Sequence, residues 1–336
     1  MQPRNPQDSS LFLERLPLEI RLEIYSYVFH SVRLAFGRIS TQINPISPTN
    51  TLTGHANISS VQMRPPPNSL SLLHVCRKVN REIGHSWINQ VLFSFEGAHT
   101  MLEKLAALEP SLLSRLRHMR ISGPSPMLSI ESDPPTIEYG WAYVFKALPG
   151  LCLDRLTVVG SHAPTATTDL LIAEQLIKQS DGWRKLYFIS HNSAILELTR
   201  QVRHHDHWHA VPRLSRLDRA LVRRDGPTAL VRFYRSIHAA DHGLMTTEPA
   251  TREAMFRRGP QNWKAYCAPR DAALSQREEM EKGVLLIAHR GRDVNYTVEP
   301  LPSGIKNVKV LKRRKRPNNR QMGVMVDTYK HVDDYE

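Results

Sequence analysis

Leu16-Pro17-Leu18-Glu19-Ile20-Arg21-Leu22-Glu23-Ile24-Tyr25-Ser26-Tyr27-Val28-Phe29 is the stretch from which the rest of the chain is read. Leu16, Ile20, Ile24, Tyr27 and Val28 recur at i, i+4, i+8, i+11 and i+12, which puts them on one face of an α-helix, and Glu19, Arg21 and Glu23 fall elsewhere. Pro17 suits the first turn, where its missing N–H has no intrahelical partner to lose. Glu19 sets negative charge against the free N–H groups of the same turn. On periodicity alone, such a stripe docks on the chain's own core.

Two further blocks follow in order. Leu72, Cys76, Val79 and Ile83 repeat at i, i+4, i+7 and i+11 and predict a second amphipathic helix, with Trp87 extending its apolar face. Gln90 to Phe95 then predicts a strand, paired with a strand over Arg33 to Ile39. Leu16-Pro17-x-Glu19-Ile20-x-x-x-Ile24-x-x-Tyr27-Val28 resembles the opening of an F-box, and with Arg21 and Tyr25 it is similar to the F-box-like domains of filamentous fungi. Leu72-Leu73-His74-Val75-Cys76-Arg77-Lys78-Val79-Asn80-Arg81-Glu82-Ile83 resembles the second helix of those proteins. Asn89-Gln90-Val91-Leu92-Phe93-Ser94-Phe95 resembles the strand after it. The resemblance implies a helix-in-groove contact between Leu16, Pro17, Glu19, Ile20, Ile24, Tyr27, Val28 and the small adaptor subunit of a cullin-type ubiquitin ligase, with the remaining chain holding a client protein. In an ordinary F-box the two helices are about one helix length apart, whereas here Ser31 to Ser69 intervene.

Length and composition bound the reading. A chain of 336 residues is long enough for one large or two smaller domains, and 23 Pro points to folded segments divided by irregular chain. Cys76, Cys152 and Cys267 are scattered, odd in number and without a C-x-x-C, which suits a reducing compartment, cytoplasmic or nuclear, better than a disulfide framework. Met1 to Ser10 carries no signal-type apolar run, and no apolar stretch nears the ~20 residues of a membrane span.

The net charge of +13 is uneven. Residues 1–168 hold 15 Lys and Arg against 12 Asp and Glu (+3); residues 169–336 hold 30 against 20 (+10). Lys306 to Arg320 has eight basic residues and no acid, among them Lys312-Arg313-Arg314-Lys315-Arg316. That run is compatible with a solvated tail, a nuclear import signal or contact with a polyanion. Ser193 to Ala240 reads as helical and basic: Arg200, Arg203, Arg213, Arg216, Arg219, Arg223, Arg224, Arg232 and Arg235 accompany only Glu197, Asp206, Asp218 and Asp225. A nucleic-acid backbone would suit such a face, as would plain solvation. Within it, His204-His205-Asp206-His207-Trp208-His209 would set His205 and His209 on one helical face, but no third ligand is specified, so a surface histidine run is the expectation rather than a metal site.

The expected fold is α+β. After a flexible stretch over 1–10, residues 11–110 form F-box-like helices with a short sheet, interrupted by a disordered insertion over about 40–69 that is rich in Ser, Thr, Asn and Pro. Over 111–300, Leu116-x-x-Met119-x-Ile121, Leu153-x-x-Leu156-x-Val158 and Trp183-x-x-Leu186-x-Phe188 share one apolar frame that resembles the strand of a degenerate leucine-rich repeat. A helix over about Thr168 to Gln179 separates the last two, with Asp181-Gly182 as its stop. Gly283 to Ala288 is an apolar run that predicts a buried strand, with Tyr296 to Glu299 as a possible partner. Residues 301–336 are expected to be a disordered basic tail. G-x-x-x-x-G-K-[ST], G-x-G-x-x-G after a strand, G-x-S-x-G and H-E-x-x-H are all missing, so the chain is expected to be a non-enzymatic interaction protein without a cofactor.

Overall fold

The shared apolar frames become neighbouring strands. The structure, a computed structural model, describes residues 10–36, 70–122, 127–130, 136–160, 166–204, 207–239, 241, 244–255, 280–299 and 308–310. In chain order these contain α1 (Leu11–Arg15), α2 (Leu18–His30), β1 (Arg33–Phe36), α3 (Arg77–Ile83), β2 (Leu92–Phe95), α4 (Ala98–Leu105), α5 (Pro110–Leu113) and β3 (His118–Ser122). Then come β4 (Met127–Ile130), β5 (Thr136–Tyr139), α6 (Trp141–Val144), β6 (Leu153–Val159), α7 (Ala166–Lys178), β7 (Trp183–Ser190), β8 (Thr199–His204) and β9 (His207–Pro212). The series closes with α8 (Ser215–Asp225), β10 (Leu230–Ser236), β11 (Arg252–Ala254), β12 (Val284–His289) and β13 (Val308–Val310).

Eight strands form one mixed sheet in the order β1-β2-β3-β6-β7-β12-β10-β11. The first five run parallel, and β12, β10 and β11 each run antiparallel to the strand before them in that order. The fold is α+β. Register explains the repeated frame: Leu34, Phe93, Met119, Leu156, Leu186, Ala288 and Val231 are consecutive cross-strand partners, and Phe36, Phe95, Ile121, Val158, Phe188, Leu286 and Phe233 form the row two residues on. Because side chains alternate along a strand, both rows share one face of the sheet and make a continuous apolar wall. Met101 of α4 and Leu170, Ala173 and Leu176 of α7 belong to the same buried core, as do Leu217 and Leu221 of α8 and Phe29 of α2. A second, smaller core of Val159, Ile189, Leu285, Ile287 and Met245 lies on the opposite face at one end.

Several expectations are met in outline. The strand after α2 pairs with Leu92–Phe95, in parallel. The α7 helix ends ahead of the stop that Asp181-Gly182 predicts: Gly182 has φ +87°, and a Cβ there would lie 2.6 Å from a Val298 methyl, so both the backbone and the space require glycine. The boundary expected at residue 110 coincides with the first residue of α5, and strands from both sides of it share the one sheet.

Others are corrected. Residues 193–240 are not one helical region: β8 and β9 form an antiparallel hairpin, among the described residues of this stretch only Ser215–Asp225 is α-helical, and β10 is a sheet strand. His204 and His207 are therefore cross-strand partners and His209 stands on a strand rather than a helix, while His205 lies outside the described residues. The run at Val284–His289 pairs with β7 and β10, while Tyr296 and Val298 bond instead to Gly182, Leu151 and Gly150. The second amphipathic helix is broken at Cys76, whose extended backbone and Sγ cap the N-terminus of α3 by accepting from the Val79 N–H at 3.4 Å. Of the tail expected beyond residue 300, Val308–Val310 is described as β13, paired antiparallel with β4; residues 1–9, the insertion over 40–69 and Lys312-Arg313-Arg314-Lys315-Arg316 lie outside the described residues.

At the carboxyl ends of β6 and β7, Asp169 in the first turn of α7 is buried beside Gly160 and accepts a hydrogen bond from Ser190 Oγ at 2.5 Å. Burial pushes its carboxyl up to about 6, against the opposing effect of the Ser190 bond. A raised carboxyl favours the neutral folded form, so its stabilisation is full below the unfolded pKa near 4 and is lost as pH rises through about 6. Asp169→Asn, which does not titrate, is expected to gain on the wild type by about 2 kcal/mol between pH 4 and 7. Urea unfolding of both proteins across that range tests this; curves that stay parallel would contradict it.

Candidate protein-docking ridge

The α2 helix turns an unexpected face inward. Its buried residues are Arg21, Tyr25 and Phe29, at i, i+4 and i+8, a spacing as regular as that of the apolar stripe. The expectation that the stripe docks on the chain's own core is thereby corrected. The reason lies in Glu82 of α3. Arg21 donates from Nε to Glu82 Oε2 at 3.0 Å and from Nη2 to Oε1 at 2.6 Å, and Tyr25 Oη donates to Oε2 at 3.0 Å. The remaining guanidinium nitrogen, Nη1, donates to the carbonyl of Leu13 at 3.2 Å and to that of Leu16, which ties α1 and the Pro17 corner to the same charge. A guanidinium so fully bonded can be buried; an unpaired one is far more costly to bury.

The charges adjust accordingly. The Arg21 hydrogen bond holds the Glu82 carboxyl below the usual range, and burial, reinforced by Glu82, pushes the Tyr25 hydroxyl up to about 12. Around this polar knot, Phe12 lies against Tyr25 at 6.0 Å between ring centroids and Phe29 against Trp87 at 6.4 Å.

With that face committed, the predicted contact residues point outward. Ile20, Ile24, Tyr27 and Val28 are 44, 37, 72 and 39 % exposed, Pro17 and Glu19 are exposed, and Leu16 is half-buried. Leu18, Leu22 and Leu11 are exposed beside them. Single exposed apolar residues are common, but a cluster of this kind on thirteen helical residues is the pattern of a contact surface.

The basic residues are brought together less. Arg216, Arg219 and Arg223 are exposed on α8 at the i, i+3, i+7 spacing of one face, and Arg232 is exposed on β10. Arg213 is paired with Glu174 at 3.2 Å and Arg235 with Glu253 at 2.8 Å. Arg224 is bonded to Asp225 and to the Ser180 carbonyl. The side chains of Arg200 and Arg203 lie outside the described residues, and the other arginines of the predicted face split between structural pairs and a smaller exposed set. Among the described residues no group of His, Cys, Asp and Glu is arranged to hold a metal ion, and no helix is long and apolar enough to cross a membrane.

The role of Glu82 is not apparent from periodicity, although Arg21, Tyr25 and Glu82 all stand in the motifs quoted above. The i, i+4 spacing of Arg21 and Tyr25 is the available signal. The ridge is expected to be dispensable for folding: Ile20→Asp should change stability by no more than about 0.5 kcal/mol. Phe29→Ala, which empties a fully buried site, should cost about 3–5 kcal/mol. Chemical denaturation compares the two, and similar losses would mean that Ile20 packs inward.

Residues 5–158, somewhat under half of the chain, match a family described as a domain of unknown function, DUF7730. No curated protein and no solved structure matches the chain.

Proposed function

We propose that this chain is a non-enzymatic protein-interaction protein, an F-box-like substrate adaptor for a cullin-type ubiquitin ligase. The observation that carries the reading is the outward ridge of α2. Ile20, Ile24, Tyr27 and Val28, with Leu16, Pro17 and Glu19 at the helix start, supply the side chains that an apolar groove takes up when it receives an amphipathic helix. Arg21 and Tyr25 hold the helix from behind, so binding would not need to reorder it. The helix–strand region beyond residue 111 then remains for a client protein.

Recovery of the ligase adaptor subunit on the immobilised full-length chain tests the proposal. Wild type should retain it and Ile20→Asp should lose at least about tenfold in affinity, because a carboxylate would have to enter an apolar groove. Equal recovery by both, or none by either, leaves the F-box-like helices as a scaffold without a ubiquitin role.

A second reading has its own observation. The exposed Arg216, Arg219, Arg223 set on α8 and the Lys312–Arg316 run in the sequence suit a nuclear, nucleic-acid-associated protein. In that case affinity for random duplex should fall linearly on a log–log salt plot, and replacing the three α8 arginines with Gln should flatten the slope by about 2–3. An unchanged slope removes α8 from the contact.

A further inference from the structure

On the face of the sheet opposite the Phe93 and Phe95 rows, two arginines lack, among the described residues, the carboxylate that their burial calls for. Arg33 on β1 donates from Nη2 to Ser94 Oγ at 2.9 Å, and its Nε is buried without a partner. Arg120 on β3 has a buried Nε without a partner and no ion pair among the described residues. Ser94, itself buried, lies on β2 between them: it is the cross-strand partner of Arg120 on one side and of Ala35 on the other. Ala35 is exposed and ends at Cβ, so the surface above the middle of this trio carries no large side chain of β1.

The electrostatics agree with the geometry. Burial pulls both guanidinium groups below their ordinary pKa, Arg120 to about 10 with repulsion from Arg33 adding to it, and no acid among the described residues offsets either shift. Arg21 shows what this chain does with a buried guanidinium that serves the fold alone: every nitrogen has an acceptor and the charge has its carboxylate. Arg33 and Arg120 have kept the charge without a carboxylate partner among the described residues. Two adjacent planar forks beside a hydroxyl are the donor set of an oxyanion carrying more than one negative charge, since each fork offers paired N–H groups to two oxygens and the hydroxyl a further donor.

We infer that Arg33, Ser94 and Arg120 form a binding site for a phosphate-class dianion on the second face of the sheet. The site is independent of the α2 ridge, and neither depends on the other's being correct.

Thermal unfolding of the full chain in inorganic phosphate, against sodium chloride of equal ionic strength, tests it. Phosphate should raise the midpoint saturably, by about 5 °C or more at a hundredfold excess over the dissociation constant. Arg120→Gln should abolish the rise, and because it removes a buried unpaired charge it should melt no lower than the wild type without phosphate. Arg33→Gln should abolish it as well and serves if the first variant misfolds, whereas Arg219→Gln on exposed α8 should respond like the wild type. Glycerol phosphate in a parallel arm separates two sources of the same chemistry: a response to both ions assigns an esterified phosphoryl group, and a response to inorganic phosphate alone assigns the free ion. The inference is overturned if neither ion gives a shift beyond that of chloride, or if Arg120→Gln and Arg33→Gln keep the shift.

Discussion

The bonds from Arg21 and Tyr25 to Glu82 set the architecture of the amino-terminal part. They join residues 61 and 57 positions apart, across the whole of the Ser31 to Ser69 interval, and fix which side of α2 faces α3. A rotation of α2 that buried Ile20 and Ile24 would carry the guanidinium away and leave a partly buried carboxylate without its cation, a penalty that outweighs the burial of two more apolar side chains. The ion pair acts as a device of orientation more than of net stability. It keeps the ridge outward by giving the inward face something that only that face can bind.

The same logic separates what is legible in the chain from what is not. The strand frames can be read because each is a local pattern: Met119, Leu156 and Leu186 align simply because their strands are parallel neighbours, and any sheet built from those segments places the apolar positions on one face. Gly182 is legible for a similar reason, since the turn after α7 demands a positive φ. These features need no knowledge of a distant partner.

What fails needs such knowledge. Periodicity assigns the α2 stripe inward because Arg21 counts as polar, and only Glu82, far along the chain, makes its burial possible. The expected second helix breaks at Cys76, where a cap replaces a turn that the spacing of Leu72, Cys76 and Val79 would continue. Leu214, Leu217 and Leu221 do line one buried helical face, but the spacing of arginines around them extends the expected helix over β8, β9 and β10, whose character is settled by cross-strand pairing. The buried strand at Val284–His289 is evident from its apolar run, yet its partners, β7 and β10, lie far back in the chain and leave no local signal.

The two faces of the sheet differ in what they leave free. One is consumed by the apolar core from Leu34 to Val231. The other alternates with it residue by residue, so the positions between the apolar ones are set side by side as regularly as the core rows: Ala35, Ser94, Arg120, Thr157, Tyr187, Ile287 and Arg232 are consecutive partners. A sheet that exists to bury its first face therefore positions the second without further cost, and whatever residues stand there are held to within a strand spacing of one another. That rigidity is what allows two arginines from different strands to address a single anion, and it is absent from a loop carrying the same residues.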